Sequence, residues 1–294
     1  MTKNQLIHRL YGTCEECGRY NTYYAWCQKC DSEKTVQEWS VTSEDEDVDN
    51  CIKGFQRKAT MHEEVIEWIP FDRLIEIKRI AEGGFGLVFS AIWLDGIRVT
   101  RLENNGVKSR EKSSMVALKT LDLNEFKNHV HCRLMGIELG IYGLTKCTEN
   151  NKHLGLEAGK YLMVLQFAES GSLNQFLENN DKFKELTWKT KLFQLLDISS
   201  ELAKIHKAGY THNDLHSGNI LQIQYDKTVY SYISDLGSSK KIEEYKERNQ
   251  GEEIFGVMPY VAPEVLQGEN YTPAADIYGL GIIMAQMSSG QRPF

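Results

Sequence analysis

The sequence lacks any apolar run long enough to cross a membrane. A spanning helix needs roughly 20 apolar residues in a row, and no stretch of this chain approaches that length. Residues 1–10 are polar and contain no signal-peptide core. A basic excess is also missing, since the formal net charge is −7 over 294 residues. These absences predict no transmembrane helix and argue against a protein bound to nucleic acid mainly through phosphate contacts.

The cysteines are few and their number is odd. There are seven, and most of them lie near the N-terminus rather than along the whole chain. Such a distribution does not suit a disulfide framework, so we expect a reducing compartment, the cytoplasm or the nucleus. The chain is 41% hydrophobic and 26% charged. This is the composition of a globular protein with one large domain, or two small ones, plus an appendage.

Two Cys-x-x-Cys pairs lie close together near the N-terminus. Two turns that each present two thiolates can complete a tetrahedron around zinc. The pattern predicts a structural zinc site in a compact knuckle-like or rubredoxin-like module over residues 1–42, with the ligands Cys14, Cys17, Cys27 and Cys30. The alternative is four free or redox-active thiols in a flexible tail. Aromatic residues between the pairs can pack over the site or stack on a base, but no basic excess supports the second use.

An acidic run, residues 43–49, follows the cysteine module. Runs of like charge are usually solvated, so we interpret residues 43–69 as an acidic linker and lead-in, with a helix leading inward from Asp49 to Ile66. Pro70 does not suit the inside of a strand or helix and marks the entry into the next domain, residues 70–294. Because a linker separates the two, we expect that domain to fold without the cysteine module.

The stretch His212–Asn219 organises the rest of the chain. Asp214 and Asn219 stand five positions apart between two apolar runs. Helical spacing before the stretch and alternation after it predict a helix end, a loop and a strand. A loop of this kind holds a carboxylate and a carboxamide rigidly in a cleft.

A glycine-rich turn lies earlier in the chain, where residues 74–93 have the pattern of strand, turn and strand. Glycines let the backbone approach phosphate oxygens without a Cβ clash. A strand after the glycines, rather than a helix, separates this turn from the dinucleotide-binding fingerprint. Standing alone, the turn is equally compatible with a simple hairpin.

A lysine closes the next predicted strand, Met115–Lys119, after four apolar residues. A lysine there needs a partner, and the expected one is Glu125, on a predicted helix that continues through Leu134. The polar residues 95–114 before that strand predict an exposed insertion. Further strands are predicted at 141–144, 161–167 and 230–233. A long core helix is predicted over 188–207, with the apolar stripe Leu192, Leu195, Leu196, Ile198, Leu202 and Ile205.

Six segments, in order, resemble the motifs of protein kinases. They are the glycine-rich loop at 81–86, the V-A-I-K strand at 116–119, the H-R-D-L-x-x-x-N catalytic loop at 212–219, D-F-G at 235–237, A-P-E at 262–264 and the D-x-x-x-x-G helix start at 276–281. Residues 70–294 are thereby identified as a protein kinase domain of the tyrosine-kinase-like group. The cysteine pairs, E-W-I-P at 67–70 and the form of the catalytic loop are similar to kinases of large expanded families in some fungi.

The resemblance implies an α+β, two-lobed fold that binds ATP and Mg²⁺ and acts on a protein substrate. The N-lobe, about 70–167, is an antiparallel sheet with one helix, and the C-lobe, 168–294, is mainly helical. Asp214 orients the substrate hydroxyl and accepts its proton, Asn219 and Asp235 hold Mg²⁺, and Lys119, braced by Glu125, grips the phosphates. Leu165 is the gatekeeper, and Gln166, Phe167 and Ala168 form the hinge. The other implied nucleotide contacts are Ala81, Glu82, Gly83, Gly84, Phe85, Gly86, Val88 and Ala117.

Three positions depart from the family pattern. Asn213 replaces the arginine that pairs with a phosphorylated activation loop, so we expect activity without such phosphorylation. His216 stands where Ser/Thr kinases have lysine, and Val257 where they usually have threonine, so Ser/Thr acceptors are favoured only by resemblance to the group and Tyr stays open.

The chain stops at Phe294, before the last helices of the family's C-lobe. We expect a truncated kinase whose helix Ile277–Met287 exposes apolar surface. The alternative is a pseudokinase or scaffold that binds partners through the cysteine module or this last helix without catalysis. Retention of Lys119, Asp214, Asn219 and Asp235 argues against that alternative. A zinc-dependent nucleic-acid binder is the third hypothesis, which the acidic charge disfavours.

Overall fold

The computed structural model describes residues 10–38, 43–83, 86–102, 106–179, 183, 186–226, 228–244 and 256–293. The chain forms two compact units. The first comprises Met1–Leu121 and Gly140–Phe167, and the second comprises Asp122–Leu139 and Ala168–Phe294. No helix in the described part is both long and apolar enough to cross a membrane.

A six-stranded mixed sheet forms the core of the first unit. Its spatial order is β1-β7-β8-β6-β3-β2, and every neighbouring pair is antiparallel except β1 and β7. The parallel edge strand β1 adds to the antiparallel sheet expected from the sequence. The strands are β1 Glu67–Trp68, β2 Leu74–Gly83, β3 Gly86–Trp93, β6 Ser114–Thr120, β7 Ile141–Lys146 and β8 Tyr161–Gln166.

Alternating side chains of the central strands build the apolar core of this sheet. Phe89 on β3 stands opposite Leu118 on β6, and both are fully buried. Alternation places every second side chain on one face, so the strands at 74–83, 86–93 and 114–120 follow the predicted pattern. Around this pair pack Ile69, Leu74, Ala91, Trp93, Val116, Leu162 and Val164.

The acidic run is not a solvated linker, and that expectation was wrong. Its second half forms the first turn of a helix, α2, Glu46–Gln56. The side chain of Asp45 accepts the N–H groups of Asp47 and Val48, and acidic residues favour a helix N-terminus because of its partial positive charge. Ile52, on the apolar face of α2, is fully buried. The predicted helix from Asp49 to Ile66 therefore starts earlier and ends earlier than expected.

The insertion at 95–114 is also not simply exposed. It folds into a hairpin of β4 Arg98–Arg101 and β5 Val107–Arg110. Arg98 and Arg110 both pair with Glu67, the first residue of β1. The Thr100 N–H donates to the side chain of Glu63. Polar contacts thus attach the insertion to the segment that leads into the sheet.

The cysteine module packs against the same hairpin and lead-in. Its short helix, α1 Cys30–Gln37, carries Asp31, which pairs with Lys108 on β5. The indole of Trp26 is 1% exposed and donates from Nε1 to the Ala59 carbonyl at 3.1 Å. Lys108 Nζ also lies 5.1 Å from the centre of the Trp26 ring. The module is therefore in direct contact with the hairpin and the lead-in, contacts that the sequence did not predict.

The second unit contains five named helices and two small two-stranded sheets among its described residues. The helices are α3 Leu123–Leu134, α4 Leu173–Glu178, α5 Trp188–Lys207, α6 Pro263–Leu266 and α7 Pro273–Ser289. The strands pair as β9 Tyr210–Thr211 with β12 Lys240–Lys241, and as β10 Ile220–Tyr225 with β11 Thr228–Ile233. Helix α3 groups by its contacts with this unit rather than with the sheet.

Helix α5 has the predicted bounds, but its buried face differs from the predicted stripe. Ile198, Leu202 and Ile205 are buried as expected. Leu192 and Leu196, which the sequence placed in the core, are 61% and 62% exposed. The fully buried Gln194 lies in the core instead, where it donates to Gln222 at 3.0 Å.

Helix α7 leaves part of its apolar surface exposed, as expected. Ile283 and Met287 are fully buried, whereas Ile277 and Met284 are about half exposed. At its N-terminal end, the buried Asp276 interrupts an otherwise apolar sequence. Its carboxylate accepts hydrogen bonds from the backbone of the loop His212–Asn219, which is described next.

Candidate active site

The loop His212–Asn219 precedes the predicted strand, β10, and the short strand β9, which the sequence did not predict, lies between the loop and the end of α5. The loop backbone is anchored by Asp276 of α7. One carboxylate oxygen accepts the His212 N–H at 2.8 Å and the other accepts the Asn213 N–H at 2.9 Å. His206 of α5 also lies 2.8 Å from Asp276, through its Nε2. Charged acceptors make the stronger hydrogen bonds, so this buried carboxylate fixes where the loop begins.

His212 is fully buried, and its hydrogen bonds define its tautomer. The Asp214 N–H donates to Nδ1 at 3.3 Å, so that nitrogen carries no proton. Nε2 therefore carries the proton and donates to the Ser234 carbonyl at 2.9 Å. A neutral imidazole thus ties the catalytic-type loop to the end of β11.

Asp214 and Asn219 are brought together, as their spacing predicted. Asn219 Nδ2 donates to the Asp214 carbonyl at 2.9 Å and lies 3.3 Å from its Oδ2. The other carboxylate oxygen, Oδ1, is buried and has no hydrogen-bond partner among the described residues. An unpaired buried acceptor is costly unless it has a use.

Asp214 is held in its ionised form. Burial opposes the negative charge, but contacts with His216 and His212 and the hydrogen bond from Asn219 outweigh burial. The pKa of Asp214 is consequently lower than the ordinary value of a carboxyl group. The group is a carboxylate at neutral pH and can act as a base.

Ser234, the residue before Asp235, is hydrogen-bonded to this loop. Ser234 donates both its N–H, at 2.9 Å, and its hydroxyl, at 3.0 Å, to the carbonyl of Asn219. Asp235 itself is in the left-handed region, with φ 63°, and its Oδ1 accepts the Gly237 N–H at 3.4 Å. The left-handed region is unfavourable for most side chains, so the backbone is strained at this residue.

Asn213 stands where the family pattern has arginine, and it also has a positive φ, 69°. Asparagine tolerates that conformation better than most residues. Its Nδ2 donates to the Ser238 carbonyl at 2.8 Å, in the turn after Asp235. The uncharged side chain therefore holds the loop against this turn.

Lys119 lies on β6 of the first unit and is buried. It stands opposite Val88 on β3 and Met163 on β8, while Ala117 stands opposite Leu165. Glu125 lies in the first turn of α3, where Asp122 caps the helix by accepting the Asn124 and Glu125 N–H groups. Glu125 is buried as well, and it belongs to the second unit. The pairing of Lys119 with Glu125 stays a prediction.

The glycine-rich turn joins β2 to β3, as expected. Ala81, Glu82 and Gly83 stand opposite Val88, Leu87 and Gly86 in the antiparallel register. Gly86 has φ 108°, and a side chain there would collide with the Thr120 hydroxyl, so glycine is required. The expected tip residues Gly84 and Phe85 lie outside the described residues.

The predicted hinge follows β8. The Gln166 N–H donates to the Gly140 carbonyl at 2.8 Å, and its Oε1 accepts the Gly140 N–H at 3.0 Å. Ala168 begins the next part of the second unit, and its carbonyl accepts the Gly171 N–H at 3.1 Å. The adenine-binding role of this segment stays a prediction.

A model of the protein kinase domain family matches residues 76–294. The chain belongs to the protein kinase domain family. It is 29% identical over 238 residues to the probable serine/threonine-protein kinase gdt4 of Dictyostelium discoideum, a match that covers 80% of this chain and 13% of that protein. It is 36% identical over 256 residues to the mitogen-activated protein kinase kinase kinase MCK1 of Pyricularia oryzae, which covers 83% of this chain and 15% of that protein.

A third relative covers less of the kinase domain. The dual specificity testis-specific protein kinase 1 of Homo sapiens is 31% identical over 131 residues, 44% of this chain and 20% of that protein. The chain thus spans a fifth or less of the length of these relatives.

The four cysteines of the two pairs converge, as the sequence predicted. Their Sγ atoms all lie within 4.8 Å of one another, and those of Cys17 and Cys27 are 3.7 Å apart. Four thiolates at a zinc–sulfur distance of about 2.3 Å in a tetrahedron stand about 3.8 Å apart, so the cluster fits zinc. The backbone N–H of Arg19 lies beside Cys17 and is the main cause that lowers the pKa of Cys17 to about 7. The pKa values of two neighbours move the other way, because burial raises the pKa of Cys27 and the hydrogen bond with Cys17 raises the pKa of Cys30 to about 12.

The aromatic residues between the cysteine pairs pack within the protein. Tyr23 and Tyr24 stack edge to face, and both contact Tyr11. Trp26 is buried, while Tyr20 is half exposed. These rings therefore pack on one another and, through Trp26, on the lead-in residues Ala59 and Val65.

Sequence reasoning missed the residues that hold the kinase loop in place. Asp276 was recognised as part of a helix-start motif, but its bonds to the loop backbone were not foreseen. The signal was present, because a carboxylate in a strongly apolar helix needs buried donors. The hydroxyl and carbonyl contacts of Ser234 carry no such signal.

Proposed function

We propose that this kinase domain transfers the γ-phosphoryl group of ATP to a protein hydroxyl, with Asp214 as the base. The observation that carries the proposal is the state of its carboxylate. Oδ2 faces Asn219, whereas the buried Oδ1 has no described partner. An ionised carboxylate with one oxygen that no described donor occupies is suited to accept the proton of a substrate hydroxyl.

In the proposed step the hydroxyl oxygen bonds to the γ-phosphorus while the bond to the bridging oxygen of ADP breaks. The hydroxyl proton passes to Asp214 Oδ1. Because phosphoryl transfer needs positioning and charge stabilisation more than covalent help, the fixed backbone of the loop is the main contribution of the second unit. The anchoring by Asp276 supplies that rigidity.

We assign Asn219 and Asp235 to Mg²⁺, which neutralises phosphate charge when bound. The hydrogen bonds from Ser234 to the Asn219 carbonyl support this pairing, because they tie the two segments together. Lys119, with Glu125 as its partner, binds the α and β phosphates, and the backbone of the glycine-rich turn covers them. Gln166 and Ala168 contact the adenine edge, and Val88 and Ala117 line its pocket.

Ser and Thr are the acceptors we propose, in a kinase of the tyrosine-kinase-like group. The similarity to gdt4, a probable serine/threonine-protein kinase, supports this class, whereas the dual-specificity relative keeps Tyr as the alternative. In a direct test, the purified protein is incubated with Mg²⁺, labelled ATP and mixtures of peptides in which Ser, Thr or Tyr carries the only hydroxyl. We expect label on Ser and Thr peptides, and none with Lys119→Met. Transfer to Tyr peptides alone would reverse the assignment.

We further propose that Cys14, Cys17, Cys27 and Cys30 hold one structural zinc ion. The geometry of the four Sγ atoms supports this. Zinc binding would supply free energy of folding that so small a module cannot obtain from an apolar core. Metal analysis under reducing conditions should give one zinc per chain. Cys14→Ser and Cys27→Ser should lower this content, and Cys51→Ser, outside the cluster, should not. Protein without metal would refute the site.

The remaining proposals concern location and partners. We propose a protein of the cytoplasm or nucleus with a protein substrate and a second protein partner that binds the cysteine module. Residues 70–294 form the kinase domain in this proposal, and residues 1–42 the zinc module. The contacts of Trp26 and Asp31 with the lead-in and hairpin support a module that works as part of the first unit.

A further inference from the structure

His216 lies two residues after Asp214, and both nitrogens of its ring face a polar group. The Gly218 N–H donates to Nδ1 at 3.0 Å. Since that nitrogen accepts, the neutral ring carries its proton on Nε2. The ring also packs tightly on the backbone, because a Cβ at Gly218 would lie 2.6 Å from His216 Cε1. These contacts fix the orientation of the ring and therefore the direction in which its Nε2–H points.

That edge faces the carboxylate of Asp214. His216 Nε2 lies 3.6 Å from Asp214 Oδ2, the same oxygen that Asn219 Nδ2 approaches at 3.3 Å. Oδ2 is therefore held from two sides, and Oδ1 is the oxygen without a described donor. The 3.6 Å separation is longer than a good hydrogen bond, and catalytic contacts of this kind shorten when substrate binds.

The imidazole of His216 also lies next to the ring of Tyr260. The two rings lie 5.8 Å apart between centres. The Tyr260 hydroxyl donates to Gln286 at 2.7 Å and contacts the Ser217 hydroxyl at 3.0 Å. The ring of His216 thus has a hydrogen-bonded aromatic side chain as a neighbour in addition to the carboxylate, and it is mostly buried.

We propose that His216 is a positioning residue that holds the Asp214 carboxylate with Oδ1 turned toward the acceptor hydroxyl. The inference rests on the proposed phosphotransfer and adds a residue to it. Rotation of the carboxylate without His216 would present an oxygen already engaged by Asn219.

A purely structural role for His216 is the competing explanation. Its Nδ1 caps the short 3-10 turn Ser217–Asn219 by accepting the Gly218 N–H. The two roles use different nitrogens, so amide side chains separate them. Asparagine places an acceptor near the position of Nδ1 but does not reach Asp214. Glutamine places an N–H donor near the position of Nε2.

The test compares His216→Asn with His216→Gln in steady-state phosphorylation of a Ser/Thr peptide. Because a hydrogen bond to a charged group is at stake, we expect kcat to fall roughly tenfold or more in His216→Asn. The KM for ATP should stay within about twofold, since an interaction specific to the chemical step changes kcat. His216→Gln should retain most of kcat. The reverse order, or two variants equal to wild type, would overturn the proposal.

A second readout does not depend on activity. In ¹⁵N spectra of the histidine rings, His216 should show a protonated Nε2 and an acceptor Nδ1, with its signals assigned by their loss in His216→Asn. Asp214→Asn should shift the Nε2 signal and leave Nδ1 nearly unchanged. An unshifted Nε2 would overturn the contact even in an active enzyme. Inactive wild type with the expected spectral shift would instead count against the proposed phosphotransfer.

Discussion

Replacement of Trp26 by alanine should destabilise the sheet of the first unit, although Trp26 belongs to the cysteine module. The indole is almost completely buried among Ala59, Val65 and Tyr23. Its Nε1 bond to the Ala59 carbonyl joins the module to the segment that continues into β1. Glu67, the first residue of β1, forms ion pairs with Arg98 and Arg110 and so connects the hairpin to the sheet.

The magnitude follows from burial. Loss of a core tryptophan costs about 3–5 kcal/mol of unfolding free energy, a range that includes the cavity. A change of 1 kcal/mol shifts Tm by about 2–4 °C for a unit of this size, so Tm should fall by about 6–20 °C. Trp188, which is 62% exposed, provides the control. Trp188→Ala removes little more than a contact with Lys191, and we expect less than about 1 kcal/mol.

The assay is hydrogen exchange of backbone amides combined with thermal unfolding, at equal zinc. In Trp26→Ala, amides of Phe89 and Leu118 in the sheet core should exchange faster along with those of the module, because one cooperative unit opens as a whole. Faster exchange confined to the module, with unchanged sheet amides and Tm, would refute the account. The module would then be an independent appendage.

Three further predictions concern the kinase loop. Asp276→Asn should lower the unfolding free energy by about 1–3 kcal/mol in denaturant titration, because two backbone N–H groups lose a charged acceptor; an unchanged midpoint would contradict the anchoring role. Phosphatase treatment should leave the initial rate unchanged, since Asn213 has no charge to pair with a phosphate. The folded-state pKa of Asp214 lies below that of an unfolded carboxyl, so its stabilising effect is present at neutral pH and is lost as the pH falls through the folded pKa. In denaturant titrations at a series of pH values, the difference in unfolding free energy between wild type and Asp214→Asn should therefore be largest at neutral pH and shrink as the pH falls through the folded pKa; a difference that does not change with pH would contradict the assignment.

The elements that the sequence predicted well are those with local patterns. The helix over 188–207 and the strand pairs around the glycine-rich turn follow from the spacing of apolar residues a few positions apart. The meeting of Asp214 and Asn219 is equally local, because five residues of one loop bring them together. The cysteine cluster also depends on short spacings within 17 residues of chain.

The parts that sequence reasoning could not reach depend on contacts between distant segments. Lys108 pairs with Asp31, and Arg110 with Glu67, across long stretches of chain that no periodicity links. The acidic run was misread because its composition suits both a solvated linker and a helix N-terminus. Leu192 and Leu196 fit a helical stripe, yet a stripe does not say which face of the helix is covered.

The most direct test of the account measures ATP binding and phosphotransfer in the same preparations of wild type and Asp214→Asn. Asp214 is proposed to act on the acceptor hydroxyl, so its carboxamide variant should bind Mg-ATP with a Kd within about threefold of wild type. Its kcat should fall by a factor of roughly 10² or more, in the range of lost general-base catalysis. An Asp214→Asn variant with wild-type turnover would contradict the central claim.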